Sequence, residues 1–208
     1  TWSVLNGGGT LNNITVRAVA ARGSILMAAA SEGLYRSTNT GVSFALVSGA
    51  GGSGLPAGST SDLVGDPGNN SLLYTVVVSG AAQGIYRSTD TGATWIKVSD
   101  APTDALITSG IRGLLAVGQT ANVFIAIVGS NGRLSAVIQS ANGTSGWTNL
   151  GVPTTTEESG ALIGAHPGGQ GDIHLSIAAD PTDSNIVYVG GDRQPYFSEA
   201  APGSGVFW

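Results

Sequence analysis

Cysteine is missing altogether from this chain. That absence excludes disulfides, thiolate metal sites and a cysteine nucleophile, and it leaves the compartment open. Charge is scarce: only 10% of the 208 residues are Asp, Glu, Lys or Arg, against about 25% in an average globular domain. Lys97 is the only lysine, and the formal net charge is -5. With no Lys/Arg cluster to neutralise phosphates, the composition argues against a nucleic-acid partner, and none is expected. There is no apolar run of 18 residues, so no transmembrane helix is expected. No signal peptide is visible, because Thr1-Trp2-Ser3 opens on what reads as a strand. Helical periodicity is almost absent as well.

Glycine is abundant, with 33 residues, and hydrophobic residues make up 41%. The apolar residues come in short runs bounded by Gly, Asn, Asp or Ser, the pattern of buried strands joined by tight turns. Low charge, a single lysine and abundant Ser, Thr and Gly point to an exported bacterial surface or extracellular protein.

One phrase occurs twice. Gly33-Leu34-Tyr35-Arg36-Ser37-Thr38-Asn39-Thr40-Gly41-Val42-Ser43-Phe44 returns 51 positions later as Gly84-Ile85-Tyr86-Arg87-Ser88-Thr89-Asp90-Thr91-Gly92-Ala93-Thr94-Trp95. A repeat at that distance marks a repeated supersecondary unit. Aligning the apolar runs gives four units with boundaries near 14–50, 61–100, 111–151 and 172–208, and an outer strand at 1–5. Expected strands include Phe44–Val47, Thr94–Val98, Ile173–Ala178, Pro195–Ser198 and Val206–Trp208. Four antiparallel strands in roughly 50 residues is the anatomy of a propeller blade. Asp66-Pro67-Gly68 and Asp180-Pro181-Thr182 read as type I turns between first and second strands. The longest irregular stretches are Ser48–Thr60 and Gly151–Asp172.

The Ser-x-Asp-x-Gly-x-x-Trp pattern resembles the Asp-box, or bacterial neuraminidase repeat. Ser88, Asp90, Gly92 and Trp95 match it fully. Ser37, Asn39, Gly41 and Phe44 match with Asn for Asp and Phe for Trp, and Ser140, Asn142 and Trp147 keep the spacing with Thr144 where Gly is expected. The Asx side chain can accept backbone N–H bonds within such a loop, Gly can take positive φ, and the aromatic ring can pack between blades. The resemblance implies an all-β Asp-box propeller of sialidase-like, sortilin-like or xyloglucanase-like type, with these residues structural and peripheral. It also implies six or more blades, so the chain reads as the N-terminal part of a longer propeller in preference to a compact four-bladed ring.

Catalytic candidates are few. A xyloglucanase-like hydrolase needs two carboxylates facing each other, and the strand-end candidates are Glu32, Asp172 and Asp192. A sialidase-like site needs three arginines around a carboxylate and a Tyr/Glu pair, but Arg36 and Arg87 belong to the repeated phrase. Asp172 and His174 are expected on one face of a strand, with His166 the only other histidine. No cofactor is expected; calcium near Asp180, Asp183 and Asn185 is the one candidate, in competition with the Asp-Pro turn. Asn13-Ile14-Thr15, Asn69-Asn70-Ser71 and Asn142-Gly143-Thr144 match the glycosylation acceptor pattern. The leading reading is a non-catalytic scaffold that presents loops to a protein or glycan partner or to further copies of itself. The alternatives are a glycoside hydrolase and, by resemblance, a photosystem-type assembly factor.

Overall fold

The computed structural model describes residues 3–156, 162–164, 169–192 and 204–207. The chain is all-β in character and divides into two compact units, Thr1–Ser99 and Asp100–Trp208.

The first unit contains two four-stranded antiparallel sheets. β1 (Val16–Arg22), β2 (Ile25–Ala30), β3 (Gly33–Ser37) and β4 (Ala45–Leu46) lie in that order in one sheet. β5 (Thr60–Gly65), β6 (Leu73–Val77), β7 (Gly84–Ser88) and β8 (Ile96–Lys97) form the other. Sequential strands pair as hairpins because each connection is short. The middle strands are covered on both faces, which is why β6 reads as an unbroken buried run. Met27, Ala29 and Leu34 of one sheet pack with Leu63, Leu73, Val77, Tyr86 and Trp95 of the other in a single core. Each buried aliphatic side chain there contributes about 1.5–3 kcal/mol.

Polar contacts also tie the two sheets together. Thr60 Oγ1 accepts from the Ala30 N–H at 3.0 Å and lies 3.3 Å from the Ala30 carbonyl oxygen. Arg17 donates to Ser59 Oγ at 2.7 Å, and Arg22 to the Asp66 carbonyl at 3.5 Å. Gly65 leaves room for this contact, since a Cβ there would meet the Arg22 guanidinium at 1.5 Å.

The second unit opens with α1 (Ala101–Ser109), followed by β9 (Gly110–Val117), β10 (Val123–Gly129), β11 (Leu134–Ser140) and β12 (Thr148–Gly151), a third four-stranded sheet. β13 (Thr154–Thr156) and β14 (Leu162–Gly164) pair as a hairpin within the stretch expected to be irregular. A single helical turn, α2 (Gly171–His174), precedes β15 (Ser176–Ala179), β16 (Val187–Asp192) and β17 (Ser204–Phe207), which form a three-stranded sheet. Phe124, Ala126, Val128, Val137, Leu175, Val187 and Val189 make this unit's core.

Several expectations change. The fourth strands of the first unit's two sheets are two residues long, because Phe44 and Trp95 belong to the preceding loops and Trp95 gives its backbone N–H to the Ser53 carbonyl at 2.8 Å. Ser3, Val4 and Leu5 are not in a strand, so the described part of the expected outer strand at 1–5 is irregular. The strand expected over Ile173–Ala178 begins only at Ser176; before it, Ile173 and His174 both donate N–H to the Gln170 carbonyl, closing the turn of α2. Pro195–Ser198 lies outside the described residues. Helix α1 was not expected from periodicity. Its signal is local: Asp100 caps it by accepting from the Thr103 N–H at 3.0 Å, and proline sits in its first turn.

Thr60→Val keeps the shape of the side chain but leaves the buried Ala30 N–H without its acceptor. The expected loss is about 1–3 kcal/mol, measured as a lower urea midpoint at unchanged m-value.

Candidate functional site

The repeated phrase forms a closed loop between third and fourth strands. In the second copy, Ser88 Oγ accepts the Gly92 N–H at 2.8 Å and the Asp90 N–H at 3.3 Å, and its own hydroxyl donates to Asp90 Oδ1 at 2.8 Å. Asp90 Oδ1 also accepts the Ala93 and Thr94 N–H groups at 3.0 and 2.9 Å, while Oδ2 accepts the Thr94 hydroxyl at 2.6 Å. Trp95 is buried, and its indole N–H donates to the Gly92 carbonyl at 3.2 Å. Gly92 has φ +78°, and a Cβ there would meet Met27 at 2.3 Å, so only glycine lets the loop seat against the first sheet.

The first copy repeats the geometry with one reversal. Ser37 Oγ accepts the Gly41 N–H at 2.9 Å, and Asn39 Oδ1 accepts the Ser43 N–H at 3.0 Å. Asn39 Nδ2 donates to Ser43 Oγ at 2.9 Å, where Asp90 accepts from Thr94. Phe44 is half-buried and packs with Leu11 and Ile14 against Ala28, Ala30 and Tyr35.

In the third copy Asn142 Oδ1 accepts the Thr144 and Ser145 N–H groups at 2.9 and 3.0 Å. Its glycine has moved. The residue after the Asx is left-handed in every copy, at φ +57° for Thr40, +58° for Thr91 and +64° for Gly143. The third loop therefore has Gly143 where the other two hold a strained threonine. Trp147 is only half-buried.

Of the carboxylates suggested as catalytic, Glu32 belongs to the first unit, and Asp172 and Asp192 belong to the second. Glu32 is exposed at the turn between β2 and β3, and its carboxylate accepts the Ser31 hydroxyl at 3.1 Å. Burial raises the Tyr35 phenol above its ordinary value, and the Glu32 charge raises it further, the opposite of an activated phenolate. Asp172 and His174 are both exposed on the turn of α2 rather than on one strand face, which overturns the expected pairing by strand alternation. The Asp172 carbonyl, not its carboxylate, receives Arg112 Nη1. Asp192 ends β16 with its backbone opposite Ser204. His166 lies outside the described residues.

The turn considered for calcium spends its oxygens internally. Asp180 Oδ1 accepts the Thr182 N–H, the Thr182 hydroxyl and the Asp183 N–H at 2.7–3.0 Å, and Oδ2 accepts the Tyr188 hydroxyl at 3.0 Å. These bonds, led by the Thr182 hydroxyl, bring the Asp180 carboxyl down to about 2. Asp183 Oδ1 is taken by the Asn185 N–H at 2.9 Å. Among the described residues no group of three or more His, Cys, Asp or Glu could hold a metal ion.

Sequence reasoning set the arginines aside as a failed triad and missed their use as clasps on backbone carbonyls. Arg36 Nε donates to the Thr91 carbonyl at 2.9 Å, tying the first sheet to the second loop. Arg87, its counterpart, lies cross-strand from Tyr74, and its buried Nε has no partner among the described residues. The signal was present in the spacing, because Arg36 and Arg87 precede the same serine in each phrase.

No protein-family model matches the chain, and no curated protein matches it. Solved structures do. A GH74 enzyme of Niastella koreensis is 21% identical with a TM-score of 0.57, over 91% of this chain and 27% of that one. A GH74 xyloglucanase of Xanthomonas campestris is 18% identical with a TM-score of 0.54, over 94% and 28%. An ancestral GH74 enzyme is 17% identical with a TM-score of 0.54, over 94% and 23%. The chain thus spans about a quarter of the length of the structures it matches. At these identities the likeness shows the fold alone: the sheets are those of a β-propeller-like protein.

Asp90 yields a pH prediction with a definite sign. Burial pushes its carboxyl up, but the donors from Thr94, Ser88 and Ala93 outweigh that and hold it below its ordinary value. Its contribution is therefore full above about pH 3.9 and is lost as pH falls through the depressed value. Asp90→Asn should retain the loop, as Asn39 does, and lose less stability than wild type on acidification. Asp90→Ala should cost about 1 kcal/mol at neutral pH. Thermal melts from pH 7 to pH 2 check both.

Proposed function

We propose that this chain is a non-catalytic scaffold of the Asp-box propeller kind, exported to a bacterial surface or the extracellular space. Its loops would serve to bind a protein or glycan partner, or further copies of itself. One observation carries the reading: the repeated motif turns its polar atoms inward. Both oxygens of Asp90 are filled by donors from its own loop, and Asn39 and Asn142 do the same work in theirs. Asp90 Oδ1 accepts from three donors and Oδ2 from one, so the carboxylate is engaged by its own loop. The chain's low charge and single lysine favour an exported protein over a cytoplasmic one.

A second reading, glycoside hydrolysis, is favoured by the likeness to GH74 enzymes. It would draw on Glu32, Asp172 and Asp192 as acid and base. The two are separated by incubating the chain with xyloglucan and with a sialylated oligosaccharide and measuring released sugar. The scaffold reading expects no release above the blank. Turnover that disappears in Glu32→Gln or Asp192→Asn would replace it with the hydrolase.

A further inference from the structure

The first unit has an open strand edge beside a cleft of about 450 Å³. Five consecutive residues, 43–47, line this cleft, with Arg36 and Thr38 beside them and the turn at 50–53 opposite. A wall made of successive residues, whose side chains alternate between faces, is the edge of a strand rather than one of its faces. Its paired part is Ala45–Leu46, which follows the end of the loop at Ser43 and Phe44. The strand is β4, last in its sheet and paired only with β3. Val47 donates its N–H to the Leu34 carbonyl at 2.7 Å, so alternation turns the N–H and C=O of Leu46 outward, away from β3.

The second sheet shows that this edge is left unguarded. Leu46 is paired opposite Tyr35, and at the equivalent place Lys97 is paired opposite Tyr86. A lysine on an edge strand discourages addition of another strand. The chain's single lysine stands on the edge of β8, while β4 presents Leu46 at 44% exposure.

The cleft also carries a charge preference. Arg36 is its only charged lining residue. Its Nε is committed to the Thr91 carbonyl, and its terminal N–H groups have no acidic partner among the described residues. The Gly51 and Gly52 N–H groups have no acceptor among the described residues, and a Cβ at either position would meet nothing within 4 Å. The opposite wall is therefore bare backbone with open space before it.

We infer that β4 and Arg36 form a docking site for an extended, acidic peptide segment of a partner protein. The segment adds as a fifth strand to Leu46 and places an Asp or Glu side chain on the Arg36 guanidinium. Main-chain bonds to the edge supply affinity, and the guanidinium supplies selectivity. The inference rests on the scaffold reading for its purpose, but its test does not involve glycan turnover, so either can fail without the other.

The probe is a capped pentapeptide of alternating serine and valine with a central glutamate, compared with the same peptide carrying glutamine. Calorimetry and amide shifts in a ¹⁵N-labelled sample read the binding. The expected result is binding of the glutamate peptide at least about tenfold tighter than the glutamine peptide, with shifts centred on Leu46, Gly51 and Gly52. Arg36→Gln should abolish the preference, and Leu46→Pro, which removes an outward N–H, should weaken both peptides. The wild-type comparison of the two peptides stands even if a variant fails to fold. Equal binding of the two peptides, or shifts centred elsewhere, overturns the proposal. So does glucuronate reproducing the same shifts, which makes the site one for a bare carboxylate. Concentration-dependent shifts at Leu46 without peptide overturn it in favour of a second copy.

Discussion

Two buried serine hydroxyls, Ser37 and Ser88, hold the first unit's architecture in register. Each accepts the N–H of a glycine four residues on, and that one bond folds the chain back from the third strand toward the fourth. Everything beyond depends on this reversal. It aligns the Asx side chain under the next backbone N–H groups and forces the following threonine into a left-handed conformation. In the second copy it also delivers Trp95 into the core shared by both sheets and turns the Thr91 carbonyl toward Arg36. A hydroxyl suits the task because it can accept and donate at once without carrying charge into a buried place.

The division between inward and outward polar groups then organises the surface. Carboxylates and amides at the loops accept from their own backbone, as Asp66 Oδ1 does from the Gly68 and Asn69 N–H groups at 2.8 Å. Such groups stiffen turns and leave little for chemistry. What remains open is main chain: the outer side of β4 and the glycines of the adjoining turn. A protein so poor in charged side chains has its backbone as its largest reserve of hydrogen-bonding capacity.

Much of this was legible in the sequence. The limits of β2, β3 and β7 follow directly from the apolar runs and the repeated phrase, because buried strands between turn residues leave little choice of register. The fourth strands of the first unit were overestimated, since an aromatic residue that anchors a loop looks the same in sequence as one that opens a strand. The turn of α2 was read as strand because Ile173, Leu175 and Ile177 alternate; the Gly-rich approach to Gly171 allowed the chain to coil instead. Helix α1 was hidden because only Thr103 and Ile107 are buried, too few for a periodic signal, although its cap at Asp100 was in plain view. The arginine clasps are legible only as spacing, Arg36 and Arg87 before the same serine, because the backbone carbonyls that accept from them carry no signature of their own.

The bonds inside the serine loops and those that join the two sheets differ in sequence separation. Those of the loops span two to four residues, as from Ser88 to Asp90 and Gly92. Those that join the sheets span 30 to 55, from Ala30 to Thr60, Arg17 to Ser59, Arg22 to Asp66 and Arg36 to Thr91. Closing a chain over forty residues costs more entropy than closing it over four, so contacts of the first kind can form before those of the second. The serine loops thus let each hairpin array begin to form locally, before the core it shares with its neighbour is complete. The arginine and threonine clasps assemble only from sheets already shaped. A protein built this way can add or lose a whole repeat in evolution without rewriting the instructions by which the remaining ones fold.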